Sequence, residues 1–186
     1  MITKIMADTI EIYLRKIELE DTELIIRWRN SEYVRPFFIY QEPFTREGHL
    51  KWIETMIDTG RGYQFMICEK ETLLPIGCVY LRDYEKGHKH IEYGIFIGEH
   101  SLKGKGVGTL AARLIIQFAF EQLQVHRVFA RVIAGNIASS RIMMKAGLQE
   151  EARLRDHVFL QGEYKDLLLY GILENECKKV NGYYVE

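Results

Sequence analysis

Residues 102–110 read LKGKGVGTL, a run in which three glycines alternate with lysine and valine. The run follows the apolar segment IEYGIFIG and leads into VGTLAARLIIQFAFEQL, whose apolar residues recur at helical spacing. It therefore joins a predicted strand over 90–97 to a predicted helix over 106–123. Because the first amides of a helix have no intrahelical acceptor and its dipole is positive there, we predict that an anion binds at this junction.

The glycines do not fit two familiar phosphate-binding motifs. GxxxxGK[ST] is absent, and in GxGxxG the third glycine would fall on Thr109. Glycine in an ordered loop indicates either backbone torsions that other residues resist or a partner that approaches too closely for a Cβ atom. From these residues alone, a tight turn that binds no ligand remains the alternative.

The flanking sequence alternates between strand and helix periodicity, without a linker, repeat or low-complexity tract. Asn136 is predicted to cap the last helix at its start, and Gly147 is predicted to end it. Seven strands and four helices in this order predict an α/β (α+β) fold, in which helices cover the faces of a mixed sheet. In chain order we predict a strand over 9–17, helices over 21–30 and 45–58, strands over 62–69, 73–84 and 90–97, the helix over 106–123, a strand over 126–134, a helix over 136–147, and a hairpin of strands over 154–160 and 164–174.

Composition excludes several classes of protein. The 186 residues are 47% hydrophobic and 27% charged, which predicts one domain over 1–186, with its core at about 9–174 and a short tail at 175–186. The 25 Lys and Arg balance 26 Asp and Glu, so no basic field is available for nucleic acid. Three widely spaced cysteines, no apolar run of membrane-spanning length and no leader-like N-terminus predict a cytoplasmic protein without a membrane partner.

The glycine run does fit a third template. The segment from Lys103 to Gly108 resembles the Q/R-x-x-G-x-G/A signature of the GNAT acetyltransferase superfamily, with lysine where glutamine or arginine is usual. The order of elements over 9–174 resembles the whole GNAT fold, whose sheet has seven mostly antiparallel strands. The segments N136…S139…GL and LRDHVFLQGEYKDLLLYGIL resemble the RimJ/RimL branch. The resemblance implies an N-acetyltransferase that uses acetyl-CoA as its acetyl donor, with no metal.

The resemblance also implies which residues bind the donor. The loop amides would cradle the pyrophosphate. The backbone of Phe96, Ile97 and Gly98 would pair with pantetheine as an added strand, and a bulge at Gly94 would splay the sheet to admit it. Asn136 would bind the pantetheine arm, although its role as a helix cap is sufficient by itself. The implied donor-binding residues are Phe96, Ile97, Gly98, Lys103, Gly104, Lys105, Gly106, Val107, Gly108, Thr109, Asn136 and Met143.

Two side chains are the candidates for catalysis. Amide formation requires an unprotonated amine, and Glu92 stands on its strand where histone-acetylating relatives have a catalytic glutamate. The alternative is a structural glutamate paired with His90, lysine or arginine. Many GNAT enzymes protonate the thiolate with a tyrosine, but that place is Met143 here. Ser139 is then the candidate to stabilise the leaving thiolate, unless the thiolate leaves unassisted.

The acceptor is the least defined part. Aromatic and cationic residues between the first two helices suit a partner with an anionic or planar part. They resemble amino-sugar nucleotide acetyltransferases, whereas polyamine enzymes should offer several carboxylates and the hairpin resembles enzymes of protein N-termini. The alternative is that these side chains are core and cap residues beside solvated arginines. The candidates for binding the acceptor are Trp28, Arg29, Asn30, Tyr33, Arg35, Phe37, Phe38, Asp156 and His157.

Two further expectations concern function and assembly. An acyl-CoA binding or sensing module with weak catalysis remains the alternative to an enzyme, because Met143 and Lys103 depart from the family pattern. His88 and His90 offer only two histidines, without a third metal ligand. The RimJ/RimL branch implies a homodimer, for which the sequence shows no self-complementary patch.

Overall fold

The computed structural model describes residues 10–178 and the backbone of 184–185. Residue 9, at the start of the predicted first strand, and residues 179–183 and 186 of the predicted tail lie outside the described residues. In chain order the elements are β1 (Ile12–Lys16), α1 (Thr22–Arg29), α2 (Arg46–Trp52, continued by a π-helical turn at Ile53–Ile57), β2 (Tyr63–Glu69), β3 (Pro75–Glu85), β4 (His90–Ile97), α3 (Val107–Gln122), β5 (Arg127–Ile133), α4 (Ile137–Ala146), β6 (Gln149–Leu160), β7 (Glu163–Leu173) and β8 (Tyr184–Val185).

The predicted fold is confirmed, with one strand added. The sheet has the order β6-β7-β5-β4-β3-β2-β1-β8, and all seven predicted strands and four predicted helices are present. Pairing is antiparallel except between β4 and β5 and between β1 and β8. The added strand β8 is two residues long and lies in the tail, where no element was predicted.

The main core forms between α3 and the centre of the sheet. The apolar spacing of the helix places Ala111, Leu114 and Ile115 in one buried cluster with Ile91 and Tyr93 of β4. Burial of this apolar surface is the dominant force that holds α3 and its N-terminus in place. Among the described residues, no helix has both the length and the apolar character needed to span a membrane.

A side chain caps the start of α4, as predicted, whereas no side chain caps the start of α1. Asn136 Oδ1 accepts a hydrogen bond from Ser139 N at 3.1 Å, and Gly147 ends α4 with φ of 106°. Asp21 precedes α1, but its side chain makes no cap bond. Its carboxylate instead accepts from both terminal nitrogens of Arg15 at 2.7 Å and from Glu18 N at 2.8 Å. Asp21 therefore ties the start of α1 to the end of β1.

A wedge opens in the middle of the sheet, between β4 and β5. The two strands pair only from His90 to Glu92, although β4 continues to Ile97 and β5 to Ile133. The sheet is therefore splayed as predicted. The predicted bulge at Gly94 is wrong, because β3 and β4 stay in register there and Tyr80 lies opposite Gly94. Gly94 is bare for another reason, since a Cβ atom would lie 2.3 Å from the Tyr80 ring.

Candidate active site

The glycine loop forms the entrance to α3. Gly104 and Gly106 have φ of 81° and 84°, which side chains disfavour, and a Cβ atom on either would meet nothing within 4 Å. Gly106 precedes the first turn of α3, and its carbonyl accepts the first helical bond from Leu110 N at 3.1 Å. The amides of Val107 and Gly108 therefore have no intrahelical acceptor. Both torsion and open space explain the missing side chains at 104 and 106.

One cavity of about 550 Å³ runs from this loop along the wedge. Most of the predicted donor-binding residues line it: Phe96, Ile97, Lys103, Gly104, Gly106, Gly108, Thr109, Asn136 and Met143. The three others do not. Gly98 lies beneath the Trp28 indole, Val107 is buried in the main core, and Lys105 is exposed outside the cavity wall. The cavity is thus lined by nine of the twelve residues that were predicted to bind the donor.

The start of α4 forms the opposite wall of the cavity. Asn136 and Ser139 both line it, and the cap bond uses the Oδ1 atom of Asn136 and the backbone amide of Ser139. The Asn136 amide donors and the Ser139 hydroxyl are left for other partners. Met143 is buried at 3% exposure and adds an apolar surface, with no proton to donate.

Glu92 lies at the apex of the wedge, and two arginines hold it. Its Oε2 atom accepts from Arg82 Nε at 3.1 Å and from Nη2 of both Arg82 and Arg131 at 3.0 Å. Its Oε1 atom accepts from Arg131 Nε at 3.0 Å. The side chain is therefore paired with arginine, as the structural alternative expects. Because a carboxylate oxygen has two lone pairs, Oε1 keeps one acceptor position that these bonds do not use.

Three of the predicted acceptor-binding residues line the cavity. They are Tyr33, Phe37 and Phe38, all from the segment between α1 and α2. The Tyr33 ring packs against the tilted ring of His100 with centroids 4.4 Å apart, and Lys103 Nζ lies 5.1 Å from the Tyr33 centroid. This contact joins the acceptor side of the cavity to the glycine loop. Partial burial also lowers the pKa of the Lys103 ammonium.

Trp28 belongs to the protein core. It is 3% exposed, and its ring packs so closely on Gly98 that a Cβ atom there would lie 2.1 Å from the indole. The indole Nε1 donates to Glu99 Oε1 at 3.0 Å. These contacts match the alternative interpretation of Trp28 as a core residue. Trp28 does not line the cavity, and it packs on the residue that follows β4.

Asn30 and Arg35 hold the loop between α1 and α2 by hydrogen bonds, and neither residue lines the cavity. Asn30 exchanges two hydrogen bonds of 2.8 Å with the backbone of Phe44. Arg35 donates from Nε and Nη2 to the carbonyl of Gln41, at 2.9 and 2.7 Å. Together with a short 3-10 helix at Arg35–Phe37, these bonds hold the loop whose aromatic residues line the cavity.

The predicted hairpin residues lie away from the cavity. Asp156 and His157 are exposed on β6. Asp156 has a φ of 49°, and its amide donates to Asp166 Oδ1 at 2.9 Å. That bond and a hydrogen bond from Arg153 lower the pKa of Asp166. The structure therefore does not bring these two residues together with Glu92.

Sequence reasoning missed several residues of the cavity wall. Arg82 is the direct cross-strand partner of Glu92, and Arg131 lies two residues beyond the rung that pairs Glu92 with Phe129. Strand alternation places Arg131 on the same face as Phe129. The pairing register was needed to find either arginine. Tyr40 and Tyr80 were also missed, and both line the same end of the cavity.

Comparisons with known proteins fit this geometry. The family described as "Acetyltransferase (GNAT) domain" matches residues 11–149. The chain belongs to the GNAT acetyltransferase family. It is 29% identical over 169 residues to "Probable N-acetyltransferase YjcK" of Bacillus subtilis, covering 87% of this chain and 93% of that one. It is 25% identical over 167 residues to the spermidine N(1)-acetyltransferase of Escherichia coli K12, covering 89% and 87%.

Solved structures share the fold of this GNAT enzyme. The spermidine N-acetyltransferase of Vibrio cholerae, in complex with CoA and spermine, superposes with a TM-score of 0.82. The match is 22% identical and covers 89% of this chain and 97% of that chain. The family match and the named relatives show that the chain is an N-acetyltransferase, and enzymes of this family take the acetyl group from acetyl-CoA. The open, amide-lined loop at Gly106 and the unpaired edge of β4 fit such a donor.

Proposed function

We propose that the chain transfers an acetyl group from acetyl-CoA to a primary amine by direct attack within a ternary complex. The observation that carries the proposal is one continuous cavity, which runs from the bare loop to Glu92. Among the described residues that line it, none is a cysteine, and Cys78 is fully buried in a separate core cluster. Direct attack needs only proximity and orientation of the two substrates.

The loop and β4 would bind the donor. The first amides of α3, from Val107 to Thr109, and the positive end of its dipole would face the pyrophosphate. Lys103 lines the cavity beside them and adds a positive charge. The backbone of Phe96 and Ile97, which β5 leaves unpaired, would bind pantetheine as an added strand.

Glu92 would accept a proton from the acceptor amine, and Ser139 would stabilise the negative charge of the leaving thiolate. The amine nitrogen attacks the thioester carbonyl carbon, a C–N bond forms, and the C–S bond breaks with its electron pair on sulfur. The acceptor ammonium, with a pKa of about 10, loses one proton before attack and a second as the amide forms. We assign the first proton to the unused acceptor position of Glu92 Oε1. The second reaches the sulfur, whose negative charge the Ser139 hydroxyl would stabilise.

The acceptor is a small amine or a protein N-terminus in this proposal. Relatives named for spermidine favour a small amine. The aromatic wall of Phe37 and Phe38 favours an acceptor with a planar part, such as an amino-sugar nucleotide. One solved neighbour is described as dodecameric, and we propose that this chain also self-associates, at least as a dimer. A cytoplasmic location stays a prediction.

A thiol-release assay with Glu92→Gln tests the function. The wild-type protein should release CoA thiol when given acetyl-CoA and a panel of polyamines, amino sugars, amino-sugar nucleotides and peptides with free N-termini. Glu92→Gln should lower kcat by about 100-fold or more, because amide oxygen is a poor proton acceptor, and should keep the Kd for CoA. The matched control is Glu151→Gln, whose carboxylate also pairs with an arginine, Arg127, but outside the cavity. Bound acetyl-CoA with no release on any amine would favour the acyl-CoA binding module instead.

A further inference from the structure

The charged residues of the cavity wall are unbalanced. Among the described residues that line the cavity, the single carboxylate is Glu92, against five cations: Arg82, Lys103, Arg131, Arg141 and Lys145. A pyrophosphate at the glycine loop accounts for positive charge at that end. It does not account for Arg82 and Arg131, which surround Glu92 at the apex of the wedge.

Glu92 cannot neutralise this end of the cavity. One carboxylate lies between two guanidinium groups, so the cluster keeps a net positive charge. Asp83 Oδ2 lies 3.5 Å from Arg82 Nε, but this carboxylate is exposed, and solvent screens it. A polyamine would bring further ammonium groups beside these arginines, and like charges repel each other.

The two arginines retain unused hydrogen-bond donors. Arg82 and Arg131 each spend Nε and Nη2 on Glu92. Neither Nη1 atom has a hydrogen-bond partner within the part of the chain that the structure describes. Their side chains are 18% and 26% exposed, so the guanidinium groups remain open to a ligand in the cavity. Because Glu92 fixes both guanidinium planes, these donors are already oriented.

A third guanidinium lies behind the aromatic wall. Arg29 Cζ is 3.2 Å from the centroid of Phe38 and 5.0 Å from that of Phe44. Its Nη1 atom is buried without a hydrogen-bond partner in the described residues. Burial, with a smaller contribution from Arg82, lowers the pKa of Arg29 to about 10, so it remains a cation at neutral pH. The residues around the apex therefore carry more positive charge than the nearby carboxylates of the protein neutralise.

We infer that the acceptor amine also carries an anionic group, a carboxylate or a phosphate, which Arg82 and Arg131 bind beside Glu92. This inference rests on the proposed function and narrows its substrate class. The amine lies toward Glu92 Oε1 and the thioester, while the anion accepts from the two Nη1 donors. A polycation without an anionic group is excluded from this site by the same charges.

Matched pairs of acceptors test the inference on the wild-type enzyme. One pair is glucosamine and glucosamine 6-phosphate, which tests phosphate. The other is two tetrapeptides with free N-termini that differ only in Asn or Asp at the second position, which tests carboxylate. Two charge-assisted hydrogen bonds predict that kcat/KM rises by about tenfold or more for the anionic member of at least one pair. Faster release with spermidine, or equal kcat/KM within both pairs, would overturn the inference and leave the enzyme assignment intact.

An arginine variant tests whether Arg82 and Arg131 cause the preference for the anionic acceptor. Arg131→Met should bring the two members of the responding pair within about threefold, whereas Arg27→Met, an exposed arginine of α1, should preserve the preference. Calorimetric titration of the same pair into the CoA-saturated protein gives a readout that does not require turnover. No release and no binding for any panel member would reject the proposed function and the inference together. Binding of the neutral member as tightly as the anionic one would reject the inference alone.

Discussion

Gly106 provides the sharpest test of the donor site, because the chain contains a matched control. Gly106 and Gly162 have the same φ of 84°, and a Cβ atom on either would meet nothing within 4 Å. Gly106 lines the cavity, whereas Gly162 lies in the turn between β6 and β7. Leucine at either position should carry the same backbone strain, about 1–2 kcal/mol. For a domain of this size, each variant should therefore unfold about 2–8 °C below the wild type.

The two variants should differ in their affinity for CoA. The leucine side chain of the Gly106→Leu variant would enter the space in front of the α3 amides and keep the pyrophosphate away from them. A hydrogen bond to a charged group contributes about 1.5–3 kcal/mol, so the loss of two bonds costs at least about 3 kcal/mol. That corresponds to a Kd raised by about 100-fold or more, measured by calorimetric titration with CoA. Gly162→Leu should bind CoA like the wild type. Retained affinity in Gly106→Leu, or equal losses in both variants, would refute the assignment of the loop to the pyrophosphate.

Three further predictions concern Trp28, His49 and Ser139. Trp28→Phe loses the bond to Glu99 and part of the packing on Gly98, so its Tm should fall by about 2–8 °C while kcat/KM changes less than about threefold. His49 lies in α2, and burial lowers the pKa of its imidazole. As the pH falls, the unfolded chain therefore takes up the proton before the folded protein does, and stability should fall below about pH 6.5. His49→Phe should flatten the change of Tm between pH 7.5 and 5.5. Ser139→Ala keeps the backbone cap and should lower kcat by about tenfold or more without changing the KM for acetyl-CoA, and steady-state kinetics measure both.

The parts of the site that are contiguous in sequence could be predicted from it. The glycine loop, the helix that follows it and the cap at Asn136 all depend on residues within one or two turns of each other. Local torsions and unpaired helix amides determine such features, and their spacing is visible in the chain. The structure places nine of the twelve predicted donor residues around one cavity for this reason.

The surroundings of Glu92 depend on strand register, which the sequence does not reveal. Arg82 reaches Glu92 because β3 and β4 pair in one particular register, and a shift by one residue would turn it to the other face. Arg131 is 39 residues away in sequence and depends on the short parallel pairing of β4 with β5. Trp28 was predicted to bind the acceptor for a related reason. The sequence shows that this segment is rich in aromatic residues, but it does not show which face of α1 packs in the core.

The glycines in and near the loop lack side chains for different physical reasons. Gly94 and Gly98 are bare because the rings of Tyr80 and Trp28 take the space of a side chain. At Gly108 a Cβ atom would lie 2.6 Å from Ile142, so this glycine allows α3 and α4 to approach. Only Gly104 and Gly106 face open space within the cavity wall. The motif thus combines glycines required for packing with glycines available to a ligand, and substitutions at the two kinds should fail differently.

One strand connects the two ends of the proposed chemistry. Glu92 occupies the last rung that β4 shares with β5, so the wedge opens at the next residue and continues to Ile97. At about 3.3 Å per residue, the five steps from Glu92 to Ile97 fix a separation of roughly 17 Å between the proton acceptor and the end of the strand. The loop that would bind pyrophosphate begins just beyond. Because successive residues alternate in face, adding or removing one residue in this stretch would both change that separation and reverse the side on which Glu92 or the loop lies. The geometry of donor and acceptor therefore depends on the length of β4 as much as on any single side chain.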